Sequence, residues 1–206
     1  MSSKVFQLLL LFVFLNNVNA ENGYRLWLRY DLIQDQKVLE NYKKEINGIL
    51  ILGNSETISI SSNELVYGIK GMTGIEILPF YKETINGIIV VGNYNEDLIK
   101  NYIQKNEIEE INEEGFLIKT IYAHDKKLTI ITAKSDVGVL YGSFHFLSLL
   151  QTNKSIKNLD IKSSPKIKLR VLNHWDNLDR TSERGYAGFS IWDWHKLPKY
   201  IDPRYI

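Results

Sequence analysis

The chain has 206 residues, 44% of them hydrophobic, with 25 Lys and Arg set against 24 Asp and Glu and no cysteine. That composition excludes a disordered chain and a disulfide-framed miniature fold, and near-neutrality without a basic block argues against a nucleic-acid partner. Stability must therefore come from a hydrophobic core, and the length suits one ordinary domain or one domain plus the start of another.

Residues 1–20 read as a signal peptide. Lys4 supplies the positive start, Val5 to Leu15 the apolar stretch, and Val18-Asn19-Ala20 a small-residue cleavage site. A membrane anchor needs about 20 apolar residues, and this run is shorter and broken by Asn16, Asn17 and Asn19. The mature chain is expected to begin at Glu21, to lose Lys4 and so become formally neutral, and to have no membrane attachment. No cysteine is present to carry a lipid. The expected destination is outside the cytoplasm, in periplasm or medium.

Arg25 to Tyr30 has the aromatic alternation of a strand. Residues 36–46 place Val38, Leu39, Tyr42 and Ile46 on one helical face. An internal echo follows: Ile46 to Asn54 reads INGILILGN and Ile85 to Asn93 reads INGIIVVGN. Each is a short apolar run suited to a strand buried on both faces, and each precedes a helix candidate, Asn63–Lys70 and Asn95–Lys105. That rhythm predicts parallel strands covered by helices. The echo is too short to indicate a solenoid. Phe116–Tyr122 and Leu128–Thr132 form a predicted antiparallel hairpin with His124 as a solvated turn residue at its tip. Asp136–Gln151 is a strong helix candidate, with Asp136 able to cap its start and His145 reading as a core or boundary histidine.

Residues 153–165 are polar and Lys-rich, as expected of a linker or a peripheral strand. Beyond Pro165, Lys166 to Leu172 alternates as a strand would and delivers a polar, aromatic cluster at its end. A (β/α)₈ barrel presents catalytic groups in that way, at the carboxyl ends of its strands. Such a barrel takes about 250 residues, so only its opening fits here. Asp176, Asp179, Glu183 and Asp193 offer carboxylates for acid–base hydrolysis, which needs a pair roughly 5–9.5 Å apart. Their spacing alone is weak evidence, and solvated or ion-paired roles beside Arg180 and Arg184 are the more economical reading. His174 has no second histidine at ligand spacing, so no metal site is expected. Trp175 directly follows the expected strand end, where an aromatic face with a polar N–H suits a sugar. Packing under a loop is the plain alternative for Trp192 and Trp194 and the favoured reading for Trp194, and Gly185 to Gly188 read as a flexible turn.

LRVLNHWDNLD, at Leu169 to Asp179, followed by ERGYAGFSIWDWHKLP, resembles the start of the catalytic barrel in the bacterial and fungal α-glucuronidases that act on xylan. The resemblance extends upstream through GYRLWLRYD (Gly23 to Asp31), NEL (Asn63 to Leu65), EGFLIK (Glu114 to Lys119) and GVLYGSFHFL (Gly138 to Leu147), in the order of that family's N-terminal accessory domain.

The resemblance implies an α/β fold: a mixed-sheet α/β sandwich over residues 21–160, like the domain preceding the barrel in β-hexosaminidases, then the first strand and loop of a (β/α)₈ barrel over 161–206. It implies an inverting glycoside hydrolase releasing 4-O-methyl-glucuronic acid from short xylo-oligosaccharides, with no metal or organic cofactor. The acid and base carboxylates of that family lie beyond Ile206, so no residue here inherits a catalytic role and the chain is expected to be inactive alone. What carries over is one wall of the substrate subsite. Trp175 matches a tryptophan that shapes the glucuronic acid subsite, His174, Asn173 and Asp176 line or support it, and Arg184, Tyr186 and Trp192 order the first loop. A monomer is expected, with a tendency to aggregate through barrel residues. The competing class is a free-standing carbohydrate-binding or interaction module.

Overall fold

A computed structural model of the chain describes residues 29–77, 79–80, 86–171, 177–179, 192–197 and 199–200. The signal segment 1–20, the greater part of the strand expected at Arg25–Tyr30, and the glycine turn 185–188 lie outside these residues. Tyr30–Arg170 forms one compact unit.

Helix α1, Gln36–Glu45, starts at Asp35, whose carboxylate accepts from the Lys37 and Val38 amides at 2.9 and 3.1 Å, and buries Leu39 and Tyr42. Strand β1, Gly48–Ile51, leads into α2, Glu56–Thr73. That helix begins well before the expected Asn63. Ser55 caps it, and Ile58, Ser61, Leu65, Ile69 and Met72 recur at helical spacing and are buried. The stretch Thr57 to Ser62 is rich in β-branched residues and serine, which favour helix weakly, so packing overrides propensity there. Gly74, at φ 72°, ends the helix in the left-handed conformation.

A two-residue strand, β2 (Pro79–Phe80), escapes sequence analysis. Strand β3, Ile88–Val91, is the second half of the echo. The helix expected at Asn95–Lys105 is two short ones instead: α3, Asp97–Lys100, and α4, Lys105–Glu109. Ile99 and Ile108 are both buried in the same cluster. On one continuous helix, at about 100° per residue, they would point in roughly opposite directions. The break at 101–104 brings both onto the sheet.

Strands β4, Phe116–Ala123, and β5, Lys126–Thr132, form the expected hairpin with a tighter turn. His124 and Asp125 sit at φ 50° and 60°, the left-handed pair that suits a two-residue loop, and His124 is exposed as expected. Helix α5, Asp136–Gln151, has the expected bounds, yet Ser135 caps it and Asp136 does not: the Gly138 amide donates to Ser135 Oγ at 3.2 Å. Strand β6, Asp160–Ser163, settles the polar stretch 153–165 as containing a peripheral strand.

The six strands run in the order β2-β1-β3-β5-β4-β6. Neighbours among β2, β1, β3 and β5 are parallel, while β4 is antiparallel to both β5 and β6. The mixed sheet with covering helices was thus legible in the sequence. Leu50, Val90 and Ile130 pair in register and pack against Ile99, Ile103 and Ile108 on one face. Ile51, Val91 and Ile131 form the adjacent row, and Ile131 lies against Gly142 of α5. Helices α2 and α5 meet through small residues: Ser61 and Ser143 share a buried hydrogen bond of 2.6 Å, and a Cβ on Gly68 would stand 2.8 Å from Leu147.

The expected strand at Lys166–Leu172 is not formed over residues 166–171, which carry no regular structure. Alternation assigns side chains to faces, but a strand also needs a partner for its amides and carbonyls. Ile167, Leu169 and Val171 are 66, 79 and 76% exposed.

Candidate functional site

Two places in the described residues gather chemistry-bearing side chains. The first lies at the carboxyl ends of the parallel strands, where open α/β sheets commonly bind ligands. Ser55 follows β1, Asn93 follows β3 and Asp136 follows β5. Asp136 accepts from Ser55 Oγ at 2.6 Å through one oxygen and from Asn93 Nδ2 at 2.7 Å through the other. The Ser55 hydroxyl also accepts from the Ile58 amide at 3.2 Å, and Asn93 Oδ1 accepts from the Asn95 amide at 2.9 Å. Each group that would face a ligand is therefore consumed by its neighbours. The cluster ties three strand ends together. The cluster is not legible in the sequence, although a Gly-Asn closes each half of the echo and marks Asn93.

The second place is the segment the sequence singled out. Asn173, His174, Trp175, Asp176, Glu183, Arg184 and Tyr186 lie outside the described residues, so the proposed sugar-facing wall has no geometry to report. Trp192 is half-buried and meets Trp194 edge-to-face, with centroids 5.7 Å apart at 76°. That contact agrees with the packing role favoured for Trp194. Asp193 pairs with Lys196 at 3.2 Å, and the Lys196 ammonium stands 5.6 Å from the centre of the Tyr200 ring. Asp193 is thereby engaged in an ion pair, the economical reading of this carboxylate. Asn177, Leu178 and Asp179 are exposed. Among the described residues no group of three or more His, Asp or Glu side chains is arranged to hold a metal ion.

The chain leaves the sheet along a defined path. The Asn112 backbone amide donates to Ser164 Oγ at 3.0 Å, and its Nδ2 donates to the Pro165 carbonyl at 3.0 Å. Arg170 pairs with Glu114, donates to the Ile167 carbonyl at 2.8 Å, and lies 5.7 Å from the centre of the Tyr141 ring. The Glu114 hydrogen bond and ion pair hold the Arg170 guanidinium above its usual value. Glu114, in EGFLIK, and Tyr141, in GVLYGSFHFL, thus both hold Arg170. His145 stacks at a tilt on Phe116, with centroids 5.2 Å apart, and burial lowers its pKa below the usual histidine value. It is the boundary histidine expected. Among the described residues, no helix is long and apolar enough to cross a membrane.

Residues 26–146 match the glycosyl hydrolase family 67 N-terminus, and residues 149–206 match the family 67 middle domain. The chain belongs to glycosyl hydrolase family 67. It is 31% identical over 176 residues to a probable alpha-glucuronidase A of Aspergillus terreus, covering 84% of this chain and 20% of that protein. It is 28% identical over 187 residues to the alpha-glucuronidase A of Emericella nidulans, covering 85% and 21%. The chain thus spans about a fifth of the length of these curated relatives. Among solved structures, it is similar to a family GH115 4-O-methyl-alpha-glucuronidase with specificity for decorated arabinogalactans. That likeness has a TM-score of 0.47 and 14% identity, over 71% of this chain and 21% of the other.

Proposed function

We propose that the chain is the N-terminal portion of an exported, inverting α-glucuronidase that removes 4-O-methyl-glucuronic acid from xylo-oligosaccharides. The carrying observation is the pair of successive family matches, over residues 26–146 and 149–206, with relatives named alpha-glucuronidase over 84% or more of the chain. In this reading residues 1–20 are the cleaved leader, the sheet-bearing domain is the accessory domain, and the segment after Pro165 opens the (β/α)₈ barrel.

Inversion requires a general acid that protonates the leaving oxygen and a carboxylate base that activates water on the opposite face of the sugar. Both belong to the part of the family's chain absent from these 206 residues. The Asp193–Lys196 pair supports that assignment for one of the four candidate carboxylates. Trp175 supplies the apolar wall of the uronic acid subsite, with Asn173, His174 and Asp176 supporting it. Arg184, Tyr186 and Trp192 order the loop behind.

The test is to assay purified residues 21–206 on aldouronic acids. No release of uronic acid is expected, and turnover above background would sink the assignment of acid and base to other regions. Saturable sugar binding without turnover, retained in Trp175→Ala, would favour a free-standing binding module instead.

A further inference from the structure

We propose that Asn153 is an acceptor for N-linked glycosylation. The sequence holds a single Asn-x-Ser/Thr triplet, Asn153-Lys154-Ser155, with a permissive lysine in the middle. The fold places it on the turn after α5, where residues 151–155 are all exposed. Backbone hydrogen bonds hold the turn. The Asn153 amide donates to the Leu150 carbonyl at 3.0 Å, the Lys154 amide to Leu149 at 2.8 Å, and the Lys154 carbonyl accepts from the Tyr42 hydroxyl at 2.6 Å. Those bonds hold Asn153 at φ 57°, a left-handed conformation that asparagine tolerates well.

The side chains are used differently. Among the described residues the Asn153 side-chain amide has no hydrogen-bond partner, and the Ser155 hydroxyl accepts only from the Lys157 amide at 3.4 Å. Two other exposed asparagines of this domain are put to structural work: Asn47 donates to the Asn86 carbonyl and Asn112 to the Pro165 carbonyl. Asn153 is a displayed, unspent amide. Beside it opens a groove of about 140 Å³ lined by Val38, Asn41 and Tyr42, so the folded domain has room for a first sugar at this position.

In the transfer, Asn153 Nδ2 attacks the anomeric carbon of an oligosaccharide carried on a lipid pyrophosphate. The N–C bond forms, the C–O bond to phosphate breaks, the lipid pyrophosphate leaves, and the amide loses one proton to the transferase. The serine two residues on is the hydroxyl the transferase requires. This inference rests on the export reading and takes the route of export to be a eukaryotic secretory lumen, where the chain meets that donor.

The experiment translates the whole 206-residue chain with endoplasmic-reticulum microsomes, in parallel with a version whose residues 1–20 are replaced by a proven leader. Import is read by protease protection and modification by a gel shift that N-glycosidase removes. The expected result is one shifted species in the imported chain, abolished in Asn153→Gln and Ser155→Ala and retained in Ser155→Thr. An imported chain without the shift overturns the proposal, as does a shift that survives Asn153→Gln. Failure of the native leader alone, with the leader-swapped chain shifted, overturns the export reading and leaves Asn153 as the acceptor.

Discussion

Gly138 shows how a residue with no chemistry can belong to a family signature. A Cβ there would stand 2.4 Å from the Gly115 carbonyl oxygen and 2.6 Å from the Ala133 Cβ, and backbone cannot yield as a flexible side chain can. Alanine at a helix position is worth up to about 1 kcal/mol over glycine, but overpacking costs about 1–3 kcal/mol. Gly138→Ala should therefore lower stability, read as an earlier denaturant midpoint; a later midpoint would contradict the close approach. His145 belongs to the same scale. Burial lowers its folded pKa below the unfolded value of 6.5, so the unfolded chain binds the proton more readily. The stability tied to neutral His145 is complete above that value and declines as pH falls through the depressed folded pKa. Thermal midpoints across that window should fall less in His145→Gln than in the parent chain. Parallel curves would remove His145 from the account. Lys127 illustrates what a residue-level reading leaves out. Its ammonium is buried, paired with Glu45 and donating to the Ile156 carbonyl at 2.8 Å. Nothing in the sequence marks it among the chain's many lysines, because its partners come from distant elements.

The strands and helices were legible where pattern alone decides them, and misread where packing does. The echo is the clearest example. Its halves recur 39 residues apart in sequence, yet in the sheet Gly48 pairs with Ile88 and Ile51 with Val91, a spacing of 40. Corresponding residues of the echo consequently face opposite sides of the sheet. A strand buried on both faces accepts either parity, so the repeat conveys burial but not register. Helix α2 was half-seen because Thr57 to Ser62 favours helix only weakly, and packing, with Ser143 of α5 bonded to Ser61, decides it. The three strand ends joined by Asp136 are an element-scale device too. Its two hydrogen bonds to Ser55 and Asn93 link the caps of β1 and β3 to the start of α5. Hydrogen bonds to charged groups are worth about 1.5–3 kcal/mol, so Asp136→Ala should cost about 2 kcal/mol or more, measured by urea unfolding. A loss within error of zero would show that solvent replaces both bonds.

For the whole molecule, the exposed Ile167, Leu169 and Val171 make a defined prediction about behaviour in solution. Exposed apolar stretches of this kind favour association. Residues 21–206 should run as a monomer at low concentration and aggregate more readily than residues 21–165, which keep β6 paired with β4. Equal solubility of the two in size-exclusion chromatography would count against it. By itself the sequence determined the alternation of buried strands and amphipathic helices, the hairpin, the long α5 helix and the family, because each rests on local periodicity or on runs of specific residues. The tertiary structure alone decided the strand order, the register of the echo, the early start of α2, the break between α3 and α4, and the loss of strand at 166–171. Those depend on which neighbour satisfies a backbone group or fills a face, and that neighbour lies tens of residues away along the chain. The closing tryptophan segment remains identified by its sequence, with Trp192 packed on Trp194 and Asp193 held by Lys196 as its described part.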